Sequence, residues 1–187
     1  SVLERFEAVR PGMRTSMIGY DTLPMTEPAN YRFKPGTSAW VSEYFRMLAV
    51  ADAVACISGY SRDSIVGRLR RSEDKVTAIV HPGGDHVPVR EGNPPVRTRL
   101  CRVGTMEERK RPLEILDAFT AAVDASLEAD HLFVGRRSAS NPGINERVDA
   151  SINSGYPITW VEGAKDAEVL ELINTSSTFL SVGIEGY

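Results

Sequence analysis

LCRVGTMEERKRPLEILDAFTAAVDASLEADHLFVG, residues 100–135, decides the fold. Its two ends, LCRVG (100–104) and HLFVG (131–135), are short apolar runs closed by a glycine. Such runs read as strands buried in a sheet. Between them Pro112 suits the first turn of a helix, where its missing N–H leaves no bond unmade. Leu113, Leu116, Thr120 and Val123 share one face of that helix, with Phe119 and Ile115 flanking it. A strand, a helix and a second strand at this spacing predict a parallel pair joined by a crossover.

The alternation continues to the C-terminal side. Ile144, Val148 and Ile152, four apart, predict a short helix, and ITWV (158–161) a strand. Asp166 is placed to cap a helix carrying Val169, Leu170 and Ile173, and TFLSVGIE (178–185) reads as the last strand. On the N-terminal side RTSMIGYD (14–21), DAVACIS (52–58) and KVTAIV (75–80) read as strands, and Thr22 to Pro35 as a loop punctuated by Pro and Gly. Ser38 is placed to cap a helix with Val41, Tyr44, Leu48 and Ala51 on one face, and Ser61 a helix with Ile65 and Leu69. HPGGDHVPVREGNPPVRTR (81–99) holds four prolines and three glycines in 19 residues, which no regular element tolerates easily, and reads as a linker. The expectation is an α/β protein with parallel, doubly wound sheets: a first domain over 1–80, a linker over 81–99 and a second domain over 100–187.

Composition narrows the function classes. The chain has 187 residues with 22 Lys+Arg against 25 Asp+Glu, a net charge of −3, and 42% hydrophobic residues. This is an ordinary globular composition, with no marked basic excess of the kind that tracks a phosphate backbone, so a nucleic-acid partner is not expected. No apolar run reaches the roughly 18 residues of a membrane span, and SVLERFEAVRPG at the start lacks a signal-peptide layout. The expected location is cytoplasmic. Cys56 and Cys101 read as reduced, buried thiols. His81, His86 and His131 do not form a metal-ligand cluster, and no metal is expected.

In open parallel sheets, ligands bind beyond the carboxyl ends of the strands. Three such places carry chemistry. In VGTMEERKRP (103–112), Gly104 lets backbone approach a ligand, and Arg109, Lys110 and Arg111 precede a helix N-terminus whose open N–H groups carry partial positive charge. That combination suits a diphosphate; a basic triplet in a loop is equally a solvated face. In SVGIEGY (181–187), Glu185 stands between two glycines directly after a strand, where it can reach a ligand's hydroxyl groups or lie exposed in an ordinary turn. In IGYDTLP (18–24), Tyr20 and Asp21 end a strand, Asp21 being either a site carboxylate or a turn and cap residue.

Taken in order along the chain, these segments resemble the retaining, nucleotide-sugar-dependent glycosyltransferases of family 4, with the GT-B fold of two Rossmann-like domains. YDTLPMTEP is similar to the family's HD-type turn and following proline loop, and ADAVACISGYSRDSI to its "aD.ii.vS..s..dl" segment. KVTAIVHPGGD is similar to its approach to the linker, and VGTMEERKRPLEILDAF to the "vGt.eprKn...ll.AF" opening of the donor domain. HLFVGRR and ITWVEGAKDAEVLELINTSSTFLSVGIEGY resemble the segments that follow, up to the first half of a double-glutamate motif.

The resemblance implies a metal-independent hexosyltransferase of mannose or glucose type. It would use a UDP- or GDP-linked sugar as substrate, with no separate cofactor and a saccharide or glycolipid as acceptor, in polysaccharide assembly. It implies that Arg109 and Lys110 neutralise the donor diphosphate. Glu185 then hydrogen-bonds the donor sugar, with the N–H groups of Gly186 and Tyr187 nearby. Gly104, Gly135, Arg136 and the Val161–Gly163 turn flank the nucleotide, and Tyr20 and Asp21 lie on the acceptor side. Tyr20 stands where many members carry a histidine. The resemblance also implies a polypeptide about twice as long, by the usual domain sizes. Contact with the inner membrane face would then come through a preceding region, and this stretch alone would be inactive. The same layout fits a non-catalytic nucleotide-sugar-binding module or a nucleotide-sugar epimerase.

Overall fold

The computed structural model describes residues 4, 5, 8, 11–31, 36–84 and 98–183. These form two compact units, each built on a parallel sheet.

In the first unit the strands β1 (Ser16–Gly19), β2 (Ala53–Cys56) and β3 (Val76–Ile79) pair in the order β1-β2-β3, in parallel register. Helices α1 (Leu23–Thr26), α2 (Thr37–Val50) and α3 (Gly59–Arg68) connect them, with a 3-10 turn at Pro28–Asn30. Phe45 and Leu48 of α2 and Ile65 of α3 pack on Val54 and Cys56, the inward members of the β2 alternation. The opposite face of the sheet, where Ile18 and Val76 are 56% and 63% exposed, is uncovered among the described residues.

The local readings need three corrections here. The stretch Thr22–Pro35 is not all loop, because Pro24 and Pro28 each open a short helical turn. Gly36, in the left-handed region at φ 86°, precedes α2 in place of a Ser38 cap. Ser58, not Ser61, caps α3, its hydroxyl accepting the Ser61 N–H at 3.1 Å. The Ser61 hydroxyl instead donates to the Tyr20 carbonyl, tying α3 to the end of β1.

In the second unit β4 (Thr98–Val103), β5 (Ala129–Val134), β6 (Ile158–Val161) and β7 (Thr178–Phe179) pair in the order β6-β5-β4-β7, all parallel. Three helices connect them: α4 (Pro112–Asp124), α5 (Pro142–Asn153) and α6 (Asp166–Asn174). Strand alternation sorts the core. Phe133 and Ala129 face Ile115, Leu116 and Phe119 of α4 and Ile144 and Val148 of α5. Cys101, Leu132 and Val134 face Val169, Leu172 and Ile173 of α6. Both faces are covered, as a parallel sheet requires.

The buried face of α4 centres on Pro112, Ile115, Leu116 and Phe119, rotated from the predicted one. These residues complete an i, i+3, i+4, i+7 apolar stripe, which the polar Thr120 does not. Lys165 occupies the cap position of α6, leaving Asp166 as its first residue. β4 starts at Thr98, two residues before the predicted Leu100 and inside the stretch read as linker, because Thr98 and Arg99 already pair with Ala129 and Asp130. Of the predicted strand 178–185, only Thr178–Phe179 are strand; residues 180–183 are not, and 184 and 185 lie outside the described residues. The pairing of β7 with β4 ends on the Leu180 N–H bond to the Cys101 carbonyl, 2.8 Å, before the chain bends at Gly183.

Candidate functional site

Strand order points to one end of the second sheet. From β4 the chain winds outward to β5 and β6, then returns through α6 to place β7 on the other side of β4. The order therefore reverses between β4 and β7, and in open parallel sheets ligands bind beyond the carboxyl ends of the strands at such a reversal.

The loop after β4 is held in a defined shape. The Gly104 N–H donates to the Val134 carbonyl at 2.8 Å and the Met106 N–H to the Arg136 carbonyl at 3.0 Å. A 3-10 turn, Glu108–Lys110, then leads through Arg111, left-handed at φ 48°, into α4. This turn folds Lys110 back over the strand end. The Lys110 side chain lies against Gly104, its Cδ and Nζ 3.4 and 3.5 Å from where a Cβ would stand, which is ordinary contact; what calls for glycine at this position is its φ of 132°. The ammonium group thus lies at the end of β4, where an anion would meet it. Arg109 is half-buried beside it, its Nε donating to Glu107 at 2.9 Å. Asn141, just before α5, donates to Glu108 at 2.6 Å and joins the two loops.

The next loop approaches as closely as backbone can. Gly135, at φ 146°, would carry a Cβ 2.3 Å from the Gly104 oxygen, so any other residue would push the loops apart. Its N–H donates to the Val161 carbonyl at 2.9 Å, and its carbonyl accepts the Trp160 indole N–H at 2.9 Å. Arg136 is exposed. Arg137 lies 4.2 Å over the Trp160 ring and bonds Glu162 and Asp149 at 2.8 and 2.7 Å, fixing the turn that ends in the exposed Gly163. Gly104, Lys110, Gly135 and Val161 are therefore linked through adjacent strand ends. Glu185, Gly186 and Tyr187 lie outside the described residues.

Sequence reading missed two buried polar groups under this loop. Arg102, 3% exposed, donates to the Gly104 carbonyl at 2.6 Å and the Thr105 carbonyl at 3.1 Å. His131 is fully buried between Phe119 and Phe133, and neither ring nitrogen has a hydrogen-bond partner among the described residues. Burial, reinforced by the Arg102 charge, pushes its pKa down to about 4. The available signal was an arginine and a histidine at inward positions of otherwise apolar strands, where charge is rarely buried without partners.

In the first unit, Asp21 accepts the Leu23 N–H at 2.8 Å, the turn-forming role open to it from sequence. Tyr20 is exposed; its N–H donates to the Tyr44 hydroxyl, which in turn donates to the Ile18 carbonyl, both at 3.1 Å. Among the described residues no three His, Cys, Asp or Glu side chains are grouped to hold a metal ion. Nor is any helix long and apolar enough to cross a membrane.

No protein-family model matches the chain, and no curated protein does. Solved structures match its fold. The crystal structure of TarM is 9% identical with a TM-score of 0.65, covering 94% of this chain and 33% of TarM. An S. aureus TarM mutant in complex with fondaparinux, alpha-GlcNAc-glycerol and UDP is 10% identical with a TM-score of 0.65, covering 92% and 33%. A glycosyltransferase from Rickettsia africae ESF-5 is 16% identical with a TM-score of 0.57, covering 83% and 43%. The fold is GT-B-like. The chain spans between 33% and 43% of the length of these neighbours.

Proposed function

We propose that this chain carries the donor side of a retaining glycosyltransferase. The enzyme transfers a hexose of mannose or glucose type from a UDP- or GDP-linked sugar to a saccharide or glycolipid acceptor, without a metal ion. The observation that carries this reading is the seat of Lys110: a lysine folded over a bare Gly104 at the end of a central strand, beside the point where strand order reverses. The GT-B-like fold and the UDP held by one TarM structure support it.

The chemistry follows from charge. As the bond between sugar and diphosphate stretches, the sugar gains oxocarbenium character and the diphosphate gains negative charge. Preorganised donors stabilise that charge without reorganising during the reaction. Lys110, Arg109 and the N-terminal end of α4 supply such donors, which is how departure proceeds without a metal. Glu185 is proposed to bind the sugar hydroxyl groups, with the Gly186 and Tyr187 amides beside it. Arg136 and the Val161–Gly163 turn are proposed to flank the nucleotide, and Tyr20 and Asp21 to lie toward the acceptor. The location proposed is cytoplasmic, at the inner face of the membrane where the acceptor is lipid-linked.

Lys110→Ala tests the reading. Removing one preorganised donor of this kind costs on the order of 10²–10³ in rate. Sugar transfer from the radiolabelled donor should fall by that factor in the intact protein. Wild-type transfer in Lys110→Ala would contradict the assignment.

A further inference from the structure

The peptide unit between Gly104 and Thr105 is fixed from two sides. On one side the buried guanidinium of Arg102 donates to the Gly104 carbonyl at 2.6 Å and to the Thr105 carbonyl at 3.1 Å, with Met106 Sδ 3.5 Å away. On the other, the bare Cα of Gly135 abuts the same unit: a Cβ there would stand 2.3 Å from the Gly104 oxygen and 3.2 Å from the Thr105 nitrogen. No peptide bond here is cis. In a trans peptide the C=O and N–H point in opposite directions. The group that holds the Gly104 oxygen therefore also sets the direction of the Thr105 N–H, which makes no hydrogen bond with the described residues.

The location matters as much as the bond. Arg102 is a residue of β4 with its side chain in the core, where Leu100, two residues earlier, packs against apolar neighbours. Burying a guanidinium there carries a large desolvation cost. What that charge holds is the first turn beyond the strand, the one on which Lys110 is seated.

We propose that Arg102 is a positioning residue for the donor diphosphate. By holding the Gly104 and Thr105 carbonyls it aims the Thr105 N–H outward and keeps Gly104 beneath Lys110, so that an amide and an ammonium meet one anion. This rests on the nucleotide-sugar reading above.

The test compares a diphosphate with its nucleoside. The intact protein, Arg102→Met and Arg102→Lys are titrated with UDP, GDP and ADP and with the matching nucleosides, and each variant is melted in parallel. For the nucleotide that the wild type binds, Arg102→Met should weaken the diphosphate about tenfold and leave the nucleoside unchanged, with Arg102→Lys in between. A purely structural arginine would lower the melting temperature and leave the affinity of the folded protein intact. That result, or an equal loss for nucleotide and nucleoside, overturns the inference. Should Arg102→Met fail to fold, Arg102→Lys reads the same ratio, because it keeps the charge but cannot span both carbonyls. A wild type that binds none of the three nucleotides overturns the glycosyltransferase reading and this inference with it. Wild-type binding with an unchanged ratio in Arg102→Lys overturns this inference alone.

Discussion

Arg71 in the first unit and Arg102 in the second are both nearly fully buried, and both direct their guanidinium groups at backbone carbonyls. Arg71 bonds the Leu48 carbonyl at 2.8 Å, the Val76 carbonyl at 3.0 Å and the Thr77 hydroxyl at 2.9 Å. It thereby joins the last turns of α2 to the first residues of β3, at the amino end of a parallel sheet. Arg102 does the same at the carboxyl end of β4, where the strand order reverses. One interaction thus serves scaffold at one end and site at the other, because only the carboxyl end of a parallel sheet presents open loops and helix N-termini to a ligand. The sheets differ in the same sense. The second is packed on both faces and its strand-end loops touch through Gly104 and Gly135, whereas among the described residues the first is packed on one.

The largest expected effect falls on the two-sided core. Phe133→Ala should destabilise the second unit by about 3–5 kcal/mol, the usual cost of a large buried aromatic. Chemical denaturation followed by Trp160 fluorescence, in a Trp40→Phe background, reads that unit alone. A cost below ~1 kcal/mol would mean that the core there is loose.

Next comes the acid dependence of the same unit. His131 titrates near 4 in the folded protein, below its ordinary value, so between about pH 6.5 and 4 the unfolded chain binds the extra proton. Stability must therefore fall as pH drops through that window, by about 3 kcal/mol in all. His131→Leu should flatten the profile of the Trp160-monitored transition across that range. A wild-type profile already flat there would show that His131 is hydrogen-bonded or hydrated.

The smallest effect sharpens the comparison most. Arg71→Met leaves two carbonyls without their donor and should cost about 1–3 kcal/mol in the first unit. Nucleotide affinity should be unchanged, in contrast to Arg102→Met. A comparable loss of affinity in both variants would erase the distinction between the two ends.

Much of this architecture was legible in the chain, for identifiable reasons. The continuous apolar run HLFVG and the helical spacing after Pro112 located β5 and α4, because a strand covered on both faces is apolar throughout and a helix packed on one face is apolar every third or fourth residue, although the buried face of α4 is rotated from the one read. The alternation of elements then required parallel sheets. The caps were less legible. Ser38, Ser61 and Asp166 are all good capping types, and which serine caps α3 depended on Ser61 being drawn away to the Tyr20 carbonyl, a contact 41 residues distant in sequence. The seat of Lys110 was half legible: a glycine and a lysine at a strand end suggested an anion, while the 3-10 turn that brings them together left no periodic trace. Arg102 was hidden because its partners are main-chain carbonyls, which every sequence has.

The central claim is that the β4 strand end binds a nucleotide diphosphate through Lys110. Calorimetric titration of the intact protein with UDP, GDP and ADP, repeated on Lys110→Ala, tests it most directly. The account predicts saturable binding of one nucleotide by the wild type and a loss of at least about tenfold in the variant, the equivalent of ~1.4 kcal/mol. Equal binding by the two proteins, or none by the wild type, would contradict it.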